Sequence, residues 1–481
     1  MKTTIISRIS LIAVLILLLS SCEKLNNILD VTPRQSIDSR TALESPEAIE
    51  AALNSIYAYL LQTSQYGLEL IALPELLADN SEHTNNPTSY YSEYRNQPGF
   101  HMNIWGSSYY AINEVNNILK VLQDPPLGAN TEFVEKISGQ AHFLRALYYH
   151  NISKIYGYDP KSVIEEVNYG SVPILLDPVL NKNEITYPAR ATQEQVYELI
   201  YNDLDSAYNA LSGKSINSND PQYYASDAAA AALLSRVALY NEDYPKVITE
   251  VEKALALCEG SFMSNSNYIQ GWRSIKLPES IFEVVFKMGD VSDPANSSLR
   301  VAFTSRQTLT STTFSNRGNM AVAPDLYNKY SAQDVRQELF ISGLGRNANR
   351  KEITKYISRT GTNHDNVPVI RVSELYLNRA EAYFFSDQEE LAINDLNKIR
   401  VRAGLDPAPY SLSGDDLLNE IDLQRRLELA FEGHRFFDLK RRGKDIIKPM
   451  GNVRFNEYRI LAPIPYTETQ RNTNLKQNFG Y

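Results

Sequence analysis

Glu428 and Glu432 stand four residues apart within Leu427–Gly443, so on a helix they share a face, with His434 close by. Two carboxylates so placed could act as the acid and base of a glycoside hydrolase. In the same helical frame Arg425 and Arg435 lie three residues away from them, which gives each carboxylate a guanidinium within reach. Such pairing lowers a carboxyl pKa, whereas a general acid needs it raised. The spacing therefore predicts one arginine-laddered helix from Asp415 to Arg442, stopped at Gly443, and no catalytic residue.

Other reactive types point no further toward catalysis. The six histidines (His83, His101, His142, His150, His364 and His434) form no HExxH, and there is no CxxC, so neither a metal nor a cofactor is expected. Gly343-Leu344-Gly345 lacks the third glycine and the preceding strand of a nucleotide loop. Cys258, at a helix end, reads as a packed thiol. A net charge of −10 makes nucleic acid a poor partner.

Binding chemistry is better represented. Between Ala78 and His101 helical periodicity vanishes into a long polar loop that carries Tyr90, Tyr91 and Tyr94 beside Asp79 and Asn80. Trp272 and Arg273 lie in a second irregular region. Flat rings offer stacking faces to the CH surfaces of a sugar, and Asp, Asn and Arg offer hydrogen bonds to its hydroxyls. These seven residues are therefore the expected ligand platform. The chain has 31 Tyr against 16 Phe and 2 Trp, a bias that suits carbohydrate or peptide contacts, or wet helix packing.

The elements that must position this platform are mostly helical. Ser45-Pro46-Glu47 opens a helix with the stripe Ile49, Leu53, Ile56, Leu60; Trp105, Tyr109, Ile112, Asn116 and Leu119 form a second, with Trp105 in the core. A third runs through Phe133, Ile137, Leu144, Tyr148 and Ile152 after the Asp124-Pro125-Pro126 break, and further helices follow over 196–211, over 225–257 as two helices around Asn241-Glu242-Asp243, and over 373–385 and 388–403. Arg145/Tyr149, Arg236/Tyr240 and Arg379/Tyr383 repeat one Arg–Tyr spacing near the end of the first helix of a pair, which suggests divergent tetratricopeptide-type units with these residues as inter-helix fasteners. From 259 to 367 the pattern is irregular, with one strand-like run at Glu279–Phe286. The expected organisation is a signal peptide (1–21), a tether (22–44), a helical scaffold with the early ligand loop (45–258), a loop-rich insertion (259–367) and a C-terminal helical scaffold with tail (368–481).

At the front, Lys2 and Arg8 precede the apolar run Leu11–Leu19, which is too short to span a bilayer, and Leu19-Ser20-Ser21-Cys22 follows. That sequence resembles a bacterial lipobox, in which Cys22 takes a lipid and anchors the mature chain to the outer-membrane lipid. With Cys22 lipidated, Cys258 has no partner within the mature chain, so no intrachain disulfide forms there.

Several stretches, in order, resemble the SusD/RagB family of outer-membrane nutrient-binding lipoproteins. They are the lipobox at Cys22, Trp105–Leu119, Phe143–Ala146, Tyr169–Pro173, Pro324–Tyr330 with Asp334 and Arg336, Ile370–Ala382, Leu396–Gly404, Leu427–Gly443, and Ala462–Pro465 with Asn474–Tyr481. The family usually has Glu where Gln424 stands. The resemblance implies a mainly α, SusD-like fold built on tetratricopeptide-type helix pairs with a loop-rich insertion. It also implies a non-catalytic, lipid-anchored, surface-exposed protein of the outer membrane. Such a protein captures oligosaccharides for a SusC-like TonB-dependent transporter, or peptides in the RagB-like alternative.

Overall fold

The computed structural model describes residues 43–84, 89–215, 220–258, 261–287, 297–313 and 317–481. The signal peptide, Cys22 and the tether up to residue 42 lie outside these residues. Helices α1 (Pro46–Tyr59) and α2 (Glu69–Leu77) are followed by α3 (Trp105–Val121) and α4 (Thr131–Tyr156). Next come α5 (Gln193–Leu211), α6 (Asp227–Tyr240) and α7 (Tyr244–Cys258), and then the short α8 (Tyr268–Arg273) and α9 (Leu299–Phe303). Later come α10 (Val372–Phe385), α11 (Glu389–Ala403), α12 (Gly414–Glu428) and α13 (Arg435–Arg441), before a short helix over Tyr466–Arg471.

Helix starts follow local chemistry. Ser45 accepts from the Ala48 amide at 3.3 Å with Pro46 in the first turn; Asn130 accepts from Phe133 at 2.8 Å; Thr192 and Gln195 close a capping box. The stack proceeds α3–α4–α5–α6–α7–α10–α11, each helix packed on the next, with α12 laid across α10 and α11. α6 is buried along nearly its whole length, and its Ala228–Ala232 run lets neighbouring helices come close.

The repeated arginines fasten this stack. Arg145 grips Asp203 of α5 with two bonds of 2.7 and 2.8 Å, and Arg379 grips Asp395 of α11 at 2.7 and 2.9 Å. Arg236 reaches past its own pair to Glu374 of α10, with two bonds of 2.6 Å. The Tyr bias is largely absorbed by the core: Tyr148, Tyr149 and Tyr109 bury their rings and donate to the carbonyls of Ile56, Leu175 and Pro173. Trp105 is buried against Tyr156, edge to face.

The described residues form three two-stranded antiparallel sheets, two of which tie the irregular region to the rest of the chain. β1 (Ser81–His83) pairs with β3 (Met320–Val322), β2 (Ser280–Val284) with β6 (Val367–Arg371), and β4 (Phe340–Ser342) with β5 (Lys351–Ile353). Gly343 to Arg350 form the β4–β5 hairpin connection, which accounts for the Gly343-Leu344-Gly345 run. Among the described residues no helix is long and apolar enough to cross a membrane.

Candidate ligand surface and the carboxylate pair

The helix predicted from Asp415 to Arg442 is two helices. α12 ends at Glu428, and the chain turns through Phe431 (φ 63°) and Gly433 (φ 83°) before α13 begins. Gly433 passes so close to α2 that a Cβ there would lie 2.3 Å from the Leu70 carbonyl oxygen, and the buried Glu75 of α2 accepts from the Gly433 and His434 amides at 3.1 and 3.2 Å. A carboxylate from another helix therefore caps α13 and sets the break.

The break changes the partners of the carboxylate pair. Arg425 bonds Asp438 and Asn378, and Arg435 bonds Asp79, so the same-helix ladder is not formed. Glu428 instead meets Arg371 at 2.7 Å, Arg402 at 2.6 Å and Arg336 at 3.3 Å. Glu432 takes Arg371 at 2.6 Å and Lys355 at 2.5 Å. The β2–β6 pairing brings in Glu279, which bonds Arg371 and Arg402 at 3.0 Å each. Gln424 accepts from Arg336 at 2.9 Å, keeping by a neutral bond the contact an acid would make.

All these side chains are buried. Burial would raise the Glu428 carboxyl, but Arg402, Arg371 and Arg336 outweigh it and hold the group well below the usual carboxylate range. Burial, with Arg236 and Arg425 nearby, keeps His434 neutral. Glu428 thus sits in an ion-pair core with no proton to give at neutral pH.

The predicted platform is only partly exposed. Trp272 is fully buried on α8 among Met263, Tyr268, Leu277 and Leu339, with Lys355 Nζ 4.6 Å and Arg371 5.7 Å from its ring. This corrects the expectation of a stacking face there: the indole roofs the ion-pair core. Arg273 spends its guanidinium on the carbonyl and hydroxyl of Thr354, and burial, then the Arg359 charge, lowers it to about 10. Asp79 clamps Arg435 at 2.6 and 2.8 Å, and the buried Asn80 bridges Glu75 and Arg426. Tyr94 is buried against His83, with Lys448 Nζ 5.1 Å above its ring. Polar neighbours in the sequence are thus partners in folding, and they hold the loop base rigid.

Two platform tyrosines remain open. Tyr91 is 37% exposed, its ring edge-on to His83 at 5.3 Å, with the Arg95 guanidinium 5.8 Å from its centroid. Tyr90 is half-buried and left-handed (φ 62°), the residue that turns the chain into the one-turn helix Tyr91–Tyr94.

The β1–β3 pairing sets this loop against the insertion. Arg350 bonds Glu82 at 2.9 Å and the Thr84 carbonyl at 3.2 Å. His83 donates to the Ser89 carbonyl at 2.7 Å; burial, and then the Arg350 and Arg346 charges, lower its pKa. Arg95, Arg346 and Arg350 were missed by the sequence reading, because they lie in two loops that only strand pairing unites. Among the described residues no group of three or more His, Cys, Asp or Glu is placed to hold a metal ion.

Stacked helix pairs with an irregular insertion define a helical-repeat scaffold. Comparison with known proteins makes the class specific. Residues 342–481 match the model of the SusD family, and residues 27–239 match one described as starch-binding, associating with outer membrane. SusD-like protein P2 of Formosa agariphila is 25% identical over 97% of both chains. The starch-binding protein SusD of Bacteroides thetaiotaomicron is 30% identical over 124 residues, 24% of this chain and 21% of that one. Among solved structures, a sugar-binding protein of Bacteroides vulgatus, so described provisionally, superposes with a TM-score of 0.78 at 27% identity, covering 92% of this chain and all of that one. The chain belongs to the SusD/RagB family, whose members are starch- and glycan-binding proteins associated with the outer membrane.

Proposed function

We propose that this protein is a non-catalytic, surface-displayed lipoprotein that captures oligosaccharides and passes them to a SusC-like TonB-dependent transporter. Lipidation of Cys22 anchors it to the outer membrane, and residues 22–44 tether the helical scaffold to that anchor. The ligand rests on the open part of the early loop, at Tyr90 and Tyr91; Asp79, Asn80 and Tyr94 hold the base of that loop, whereas Trp272 and Arg273 are taken up within the insertion. The observation that carries the non-catalytic reading is the state of Glu428: buried, held by three arginines and kept ionised. Glu428, one member of the pair suggested by the sequence, thus lacks both access and a transferable proton.

Incubating the mature chain from residue 23 onward with a panel of oligosaccharides and peptides, followed by chromatography of the ligand, tests this. Saturable glycan binding with intact ligand is expected. Retention of peptide but no glycan selects RagB-like peptide capture, and turnover that disappears in Glu428→Gln establishes a hydrolase. Co-purification with the transporter without any small-ligand affinity indicates a scaffold alone.

A further inference from the structure

The face around Tyr91 is basic in a chain whose net charge is −10. Arg95 and Arg346 are exposed, and Arg306, Arg350 and Lys351 half-exposed, along the edge where the early loop meets β3, β4 and β5. The geometry ties these residues into one surface. Arg350 crosses to Glu82 and Thr84 beneath His83 and Tyr91. Arg346 donates to the Arg317 carbonyl at 3.4 Å, and Arg306 donates to the carbonyls of Ser311 at 2.6 Å and Ser342 at 3.0 Å. Lys351 bonds the Ser342 hydroxyl at 3.4 Å and lies 5.0 Å from the centre of the Tyr327 ring.

Among the described residues, the acids near this charge are engaged or partly buried. Glu82 is engaged by Arg350, Glu93 is half-buried, and Glu352 is buried with its oxygens turned to Thr304 and Asn347. Arg306 meets no carboxylate among the described residues; its guanidinium bonds only carbonyl oxygens. Behind it, Arg300 is 3% exposed, donates to the Arg306 carbonyl at 3.0 Å, and likewise has no carboxylate in contact among the described residues. Burial, then the Arg317 charge, lowers the Arg300 pKa against Asp365 and Glu352, and burial, then the Arg350 charge, lowers that of Arg346 against Glu352. A basic patch lying beside an open aromatic ring is complementary to a ligand carrying negative charge.

We propose that the surface formed by Tyr91 with Arg95, Arg306, Arg346, Arg350 and Lys351 selects anionic saccharides, Tyr91 stacking on a sugar ring while the guanidiniums take its carboxylate or sulfate groups. This rests on the glycan-capture reading and names its substrate class. Planar guanidiniums suit both oxyanions, and an exposed cluster confers a preference that salt screens.

The test is isothermal titration calorimetry of the mature chain with a uronate oligosaccharide, a sulfated oligosaccharide, a neutral oligosaccharide of equal length and a polyglutamate peptide. Binding of one or both anionic saccharides is expected, at least about tenfold tighter than the neutral one and weakened several-fold as NaCl rises from about 0.05 to 0.5 M. Whichever of the two binds identifies the anionic group. The double variant Arg95→Gln, Arg346→Gln should lose about tenfold in that affinity with an unchanged melting temperature, since both side chains are exposed. Neutral glycan bound as tightly as the anionic ones, or wild-type affinity in the double variant, overturns this proposal while leaving glycan capture standing. No binding to any saccharide overturns glycan capture as well. Equal binding of polyglutamate shows a surface for acidic peptides and overturns the saccharide assignment.

Discussion

At the scale of single residues, burial decides roles that residue type leaves open. Trp272 has the type and polar neighbours of a sugar-stacking residue, yet it is closed inside the insertion beneath Lys355 and Arg371. Trp272→Ala should therefore cost about 3–5 kcal/mol of stability, visible as a large fall in the denaturation midpoint, whereas Tyr91→Ala should leave the midpoint within about 0.5 kcal/mol of wild type. The charged core makes a sharper demand. Arg371 touches Glu279, Glu428 and Glu432 together, so Arg371→Met takes one cation from each of three buried carboxylates, leaving them only Arg402, Arg336 or Lys355, and should cost about 3–5 kcal/mol in urea unfolding. Nearby, burial would raise the Glu381 carboxyl, but Arg441 and then Arg442 bring it down to about 2 from an ordinary 4.5. As pH falls the unfolded chain takes up this proton first, so the stabilisation is whole above about 4.5 and lost between there and about 2. Calorimetric melting should show that decline, and Glu381→Gln should flatten it.

At the scale of elements, the helices were legible and their interruptions were not. Apolar stripes such as Ile49, Leu53, Ile56 and Leu60 reported α1, and Asn241-Glu242-Asp243 marked the turn between α6 and α7, where Glu242 adopts φ 55°. The 429–434 break left no comparable mark, because Phe431, Glu432 and Arg435 continue a helical pattern; Gly433 was its only local sign. What fixes the break is tertiary: the Leu70 carbonyl and the Glu75 carboxylate of α2. Gly433→Ala should accordingly cost about 1–3 kcal/mol, since the added methyl meets backbone and the residue keeps a left-handed φ. Chemical denaturation measures it directly. Wild-type stability in that variant would mean that the close approach to α2 is not maintained.

At the scale of the whole molecule, family and fold could be read from many weak segments in order, because repeated helix pairs bury a continuous core and constrain residues along the entire chain. The ligand surface had no such redundancy. Arg95 and Arg350 are 255 positions apart and are brought to one edge by the β1–β3 pairing and the Arg350–Glu82 bond, so no spacing in the sequence could announce them. The proposed lipid anchor lies in the segment before residue 43, and on that proposal Cys22→Ala should move the protein from the membrane fraction to the soluble one on cell fractionation.

The central claim is that a glycan is held intact on the open early loop, away from the buried carboxylates. Equilibrium binding of an oligosaccharide to wild type and to Tyr91→Ala, with the ligand recovered and chromatographed afterwards, tests it most directly. The account predicts uncleaved ligand and affinity at least about tenfold weaker in Tyr91→Ala at an unchanged melting temperature. Wild-type affinity in that variant, or cleavage that Glu428→Gln abolishes, would contradict it.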